Sequence, residues 1–130
     1  MIKSCATVAG KLALLKGEVK PDHTFKIALY TSAADLNHAT KTYTQKGEVV
    51  AQGYAPKSVG APVYFEDATS AYFGFAGEVK WQNSTIAADG ALIYDETLGN
   101  LALFVVAFPE QVRSTNHEFV VTLVEKFFQI

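Results

Sequence analysis

Gly90–Phe108 reads GALIYDETLGNLALFVVAF, and it decides the fold. Two apolar runs, Gly90 to Tyr94 and Leu101 to Phe108, flank the polar segment Asp95-Glu96-Thr97-Leu98-Gly99-Asn100. A polar insert ending in Gly-Asn between two apolar runs is the pattern of a β-hairpin. Leu101 to Phe108 is apolar at every position, as expected of a strand covered on both faces, and Pro109 is expected to stop it.

Outward from the hairpin the period stays near two. Phe25, Ile27 and Leu29 alternate with Lys26, Ala28 and Tyr30, which predicts a half-buried strand. Val63 to Glu66 and Ala71 to Phe75 read as strands joined by a turn at Asp67 to Ser70, and Glu78 to Gln82 as a strand centred on Trp81. Val79 and Trp81 share a face, which favours the core for the indole. Ser84 to Ala88 is a short piece, and Glu118 to Lys126 alternates again. Glu48 to Tyr54 is a short apolar stretch ended by Gly53. Ser32 to Thr42 has two readings: a single helical turn capped by Ser32 and running through Leu36, or an irregular loop.

The first twenty residues differ. Ala6 to Lys16 is rich in helix formers, with Val8, Leu12 and Leu15 on one face and Gly17 as a stop, followed by a turn at Pro21-Asp22. The expected architecture is all-β: an antiparallel, jelly-roll-like β-sandwich with a short N-terminal helix. Residues 1–20 form the helical arm of this single domain, 21–123 the sandwich and 124–130 a C-terminal tail.

Composition narrows the function. The chain has 130 residues, is 49% hydrophobic and carries a net charge of −2, with both signs spread along it. No basic stripe or basic amphipathic helix suggests nucleic acid or a membrane surface as a partner. No apolar run has the length of a membrane span, and Ser4, Thr7, Gly10 and Lys11 interrupt the start too often for a signal peptide. Cys5 is the single cysteine, so packing rather than an internal disulfide holds the fold.

The search for chemistry yields no strong motif. His23, His38 and His117 lie in expected loops, and none has a second His or Cys at metal-ligand spacing. A calcium site from Asp95, Thr97 and Asn100 is conceivable, but the spacing does not match the known loop pattern. There is no Gly-x-Ser-x-Gly elbow and no phosphate-binding glycine loop. The expectation is therefore a protein that is not an enzyme and has no cofactor or metal. Six tyrosines scattered over strands and their edges read mainly as core.

The order Lys26-Ile27-Ala28-Leu29-Tyr30-Thr31-Ser32, Tyr43, Glu48-Val49, Gly53-Tyr54, then Trp81-Gln82-Asn83-Ser84-Thr85-Ile86 and Gly90-Ala91-Leu92-Ile93-Tyr94 resembles a family of small tailed-bacteriophage virion structural proteins. The resemblance spans roughly Thr24 to Phe108, and its motifs are structural, so no catalytic residue is carried over. It implies a virion location and a capsid decoration or cement role at seams between major capsid protein subunits. A tail or fibre adaptor or a host-binding module is the alternative, and a carbohydrate-binding or hydrolytic β-sandwich with an exposed Trp81 is a third reading. Val8, Leu12 and Leu15 of the helix and Phe127, Phe128 and Ile130 of the tail are the candidate interface residues. The helix without a second helix, together with the apolar strands Leu101 to Phe108 and Glu118 to Leu123, suggests a homotrimer, a state the resemblance favours by analogy.

Overall fold

A computed structural model describes residues 1–123 and the strand pairing of Phe128–Gln129. The described residues form an antiparallel all-β fold with one short helix. A five-stranded sheet has the order β1-β8-β7-β2-β3, from Cys5–Ala6 (β1), Leu101–Arg113 (β8), Ala87–Asp95 (β7), Phe25–Tyr30 (β2) and Lys57–Val59 (β3). A three-stranded sheet joins Val63–Glu66 (β4), Ala71–Gly74 (β5) and Phe128–Gln129 (β10), and a two-stranded one pairs Glu78–Ser84 (β6) with His117–Thr122 (β9). The described strands thus divide into antiparallel sheets of five, three and two.

The β7–β8 hairpin turns where the sequence places it, between Asp95 and Leu101. Cross-strand register then stacks Ile27, Ile93 and Phe104 in one row, and Ala28, Leu92 and Val105 in the next. The first row faces the main core, where Phe73 and Phe75 and the β6–β9 residues Val79, Trp81 and Phe119 cover it. The second row is covered by Ala34 and Leu36, with Ile2, Cys5 and Tyr43 packed around them. β2 is therefore buried on both faces rather than half-buried; only Lys26 is partly open, and its ammonium meets Glu96 at 2.6 Å.

β8 does not stop at Pro109. Ala88 pairs with Val112 and Gly90 with Ala107, so β8 carries extra residues opposite Asp89. Pro109 sits in that irregularity, where its missing N–H breaks no ladder bond. Past it, the β7–β8 ribbon continues as the β6–β9 ribbon and folds over the main sheet, a corner of the kind that lets strands change sheets. Ser84 and Ser114 hold the corner: their hydroxyls lie 2.8 Å apart, both are buried, and the Ile86 amide donates to Ser114 Oγ at 3.2 Å.

The segment after β2 takes the irregular reading, with no helix between Ser32 and Leu36. It returns across the second sheet face, where Thr31 N–H donates to Gly47 O at 2.8 Å and Tyr30 Oη donates to Thr44 O at 2.6 Å. Residues 1–20 are not an arm. The N-terminal amine donates to Ala34 O at 2.9 Å, and Cys5 and Ala6 pair with Val105 and Phe104. The tail is not wholly free either, since Phe128 and Gln129 pair with Phe73 and Tyr72. Phe127, Ile130 and the side chain of Phe128 lie outside the described residues.

Candidate interaction surface

The helix Val8–Leu15 (α1) is seated by its neighbours on a bulge of β8. Ile93 pairs with Phe104 but Tyr94 with Ala102, which leaves Leu103 unmatched in the ladder. Thr7 fills the resulting gap. Its amide donates to Leu103 O at 2.9 Å and its hydroxyl to Ala102 O at 2.7 Å, and the same hydroxyl accepts from Gly10 N–H as the helix N-cap. A Cβ on Gly10 would stand 3.0 Å from Leu103 Cα, so only glycine lets the helix backbone come this close. At the other end Gly17 and Glu18 donate to Leu14 O and Ala13 O, the paired bonds of a Schellman stop.

Seating fixes which side of α1 faces out. Gly10 and Ala13 are buried, and Val8, Leu12 and Leu15 are 57%, 51% and 76% exposed. The stripe Val8, Leu12 and Leu15 thus points to solvent, while Gly10 and Ala13, with Leu14 beside them, pack toward the sheet. Val8 N–H donates to His38 O at 2.9 Å, which ties the start of the helix to the 37–41 turn. Between them runs an open groove of about 550 Å³ lined by Val8, Ala9, Leu12, His38, Ala39 and Lys41. Sequence reading found Val8, Leu12 and Leu15 but missed His38 and Lys41, which lie in a segment without periodicity. A separate apolar cavity of about 250 Å³ lies between β9 and the main sheet, and no titratable side chain lines it.

The remaining candidates resolve into structural contacts. Trp81 is fully buried beside Val79, as their shared face predicts, and donates its indole N–H to Ala55 O at 2.8 Å. It is therefore not an exposed platform for sugar. His23 is not an idle surface residue: its Nδ1 lies 2.7 Å from Oδ2 of the buried Asp95. The other Asp95 oxygen accepts from Leu98 N–H, and Thr97 Oγ1 accepts from Thr24 N–H, so these turn oxygens are held by the turn's own backbone and by the residues just before β2. No group of three or more His, Cys, Asp or Glu suited to a metal occurs among the described residues.

The tyrosines are less scattered than their positions suggest. Tyr43 donates to Glu48 Oε1 at 2.5 Å, Tyr54 donates to Glu48 Oε2, and Tyr54 Oη accepts from Leu29 N–H at 3.0 Å. Tyr43 also stacks on Tyr94, ring centroids 4.8 Å apart. Burial, and then the Glu48 charge or its hydrogen bond, pushes the Tyr30, Tyr43 and Tyr54 phenols well above their ordinary range. Burial, then the charges of Glu96 and Glu48, pushes Tyr94 up to about 12. Unfolded phenols ionise near pH 10, about the value of a free tyrosine. The fold keeps these protons longer, so its stability is intact below that pH and falls as pH rises through the folded values. Urea unfolding repeated across the alkaline range should show this decline beginning near pH ~10. A flat profile up to pH ~12 would contradict the cluster.

No helix among the described residues is long and apolar enough to cross a membrane. Comparison with protein-family models, curated proteins and solved structures gives no match.

Proposed function

We propose that this protein is a structural component of a tailed-bacteriophage virion, a decoration protein that binds major capsid subunits at their seams and carries out no chemistry. The observation that supports it is the exposed apolar face of α1, clamped in place by the Thr7 cap and the Gly10 contact. Docking faces that are already rigid lose little conformational entropy on binding. The family resemblance of Thr24 to Phe108 supplies the virion context.

The homotrimer of the sequence reading keeps one argument, the uncovered Val8, Leu12 and Leu15 face of α1, while part of the other, the apolar excess of β8 and β9, is taken up inside the chain. The helix packs on its own sheet through Gly10 and Ala13, and the apolar residues Leu103, Phe104, Val105 and Phe119 are buried within one chain. The sugar-binding alternative loses its exposed tryptophan.

Purified particles test the proposal by mass spectrometry and electron cryomicroscopy. The expected result is many copies per particle, seated on the outside of the shell between capsid subunits. Absence from the particle, or a few copies confined to the tail, would overturn the decoration role.

A further inference from the structure

We propose that the α1 groove is the shell-binding socket and that its partner is an acidic protein segment with an apolar anchor; this rests on the decoration reading. The groove is apolar at Val8, Ala9, Leu12 and Ala39, and its polar lining is His38 and Lys41, with no carboxylate. Helical spacing places Lys11 beside Val8 and Leu15, and Lys16 beside Leu12, on the face that α1 turns to solvent. The apolar stripe is therefore flanked by ammonium groups. Lys11, Lys16 and Lys41 make no ion pair among the described residues. The nearby acid Glu18 lines the adjoining groove with Leu98 and Leu101 instead. In a chain of net charge −2, this cationic rim is a local feature that bulk composition conceals.

Charge decides among the occupants. A two-fold pairing of this face with itself would set Lys11, Lys16 and Lys41 against the same cations of a second copy, a costly arrangement. A bilayer takes up a helix along its whole apolar face, whereas here the groove is concave and walled by the 37–41 turn. A side chain inserted between Val8 and Leu12, with carboxylates on either side, satisfies both the apolar floor and the charged rim.

The test uses the full chain and virus particles that lack it. Wild type, Leu12→Asp, the double variant Lys11→Glu/Lys41→Glu and the control Val50→Asp are each titrated onto such particles. Val50 is 98% exposed and stands outside the groove lining. All four should give the same circular dichroism and melting temperature, because each altered side chain is exposed. Leu12→Asp should weaken binding by more than about tenfold, as loss of a central anchor does. The charge-reversed variant should bind about tenfold more weakly and lose most of the salt dependence seen for wild type.

Failure of wild type to bind such particles overturns the decoration reading and the socket with it. Wild-type affinity in both groove variants overturns the socket alone. So does sedimentation showing a dimer of the wild type that Leu12→Asp dissolves, which makes the occupant a second copy. Cosedimentation of wild type, but not Leu12→Asp, with phosphatidylglycerol vesicles also overturns it, in favour of a lipid surface.

Discussion

Replacing Trp81 by alanine should lower the stability of the fold by about 3–5 kcal/mol, the usual cost of truncating a large buried aromatic. Trp81 is the largest fully buried side chain of the core. Its ring meets Phe119 edge-on with centroids 6.0 Å apart, and Tyr54 lies 6.1 Å away on a tilted plane. Two terms contribute: the cavity left by the indole and the hydrogen bond lost from Ala55 O. The cavity dominates. Ala55 is exposed, so water replaces the lost donor at little cost, whereas no solvent fills an apolar void. Trp81→Phe should therefore recover most of the loss despite lacking the N–H. A domain of this kind has only about 5–15 kcal/mol in all, so Trp81→Ala is expected to bring it near the edge of folding. Urea unfolding followed by circular dichroism measures the change. A loss below about 1 kcal/mol would show that β6 and β9 do not pack on the main sheet as described.

What the sequence disclosed was whatever depends on near neighbours. The β7–β8 hairpin, the β4–β5 hairpin with its Asp67 turn, and the burial of Trp81 all follow from alternation and turn chemistry within a few residues. What stayed hidden depends on partners far along the chain. Ser84 and Ser114 look like ordinary loop serines until the folded ribbon brings their hydroxyls together. Asp95 looks like a solvated turn acid until His23, just before the start of β2, meets it across the sheet. Hydrophobic periodicity found the stripe Val8, Leu12 and Leu15 correctly, but it carries no information about which side a helix buries when small residues permit a closer approach. Gly10 and Ala13 are weakly hydrophobic, yet they are the two buried residues of the helix. The groove was invisible for a related reason: half its wall is the turn at His38 to Lys41, whose position is fixed by the Val8 amide and by Ala102 N–H donating to Lys41 O at 2.9 Å.

The segment that covers the second sheet face has no periodic pattern, so it must be held at particular points, and Gly47 is one of them. Gly47→Ala should destabilise the protein by about 2–5 kcal/mol, the sum of a left-handed backbone penalty of about 1–2 kcal/mol and an overpacking cost of about 1–3 kcal/mol. Gly47 has φ +79°, a conformation that side chains disfavour. An added Cβ would also lie 2.6 Å from both the amide nitrogen and the Cα of Ala34. Ala34 has no room to retreat: it is fully buried, its N–H donates to Thr31 O, and its carbonyl accepts from the N-terminal amine. Two further variants separate the terms. Asparagine tolerates the left-handed region better than alanine but carries the same Cβ, so Gly47→Asn should recover only part of the loss. Adding Ala34→Gly to Gly47→Ala removes the methyl contact at 2.7 Å yet leaves the two backbone contacts, so it should rescue little. If Gly47→Asn is instead as stable as the wild type, the close approach of residues 34 and 47 is not what limits this position. The cover over Tyr30 and Leu92 would then have more freedom than their complete burial implies.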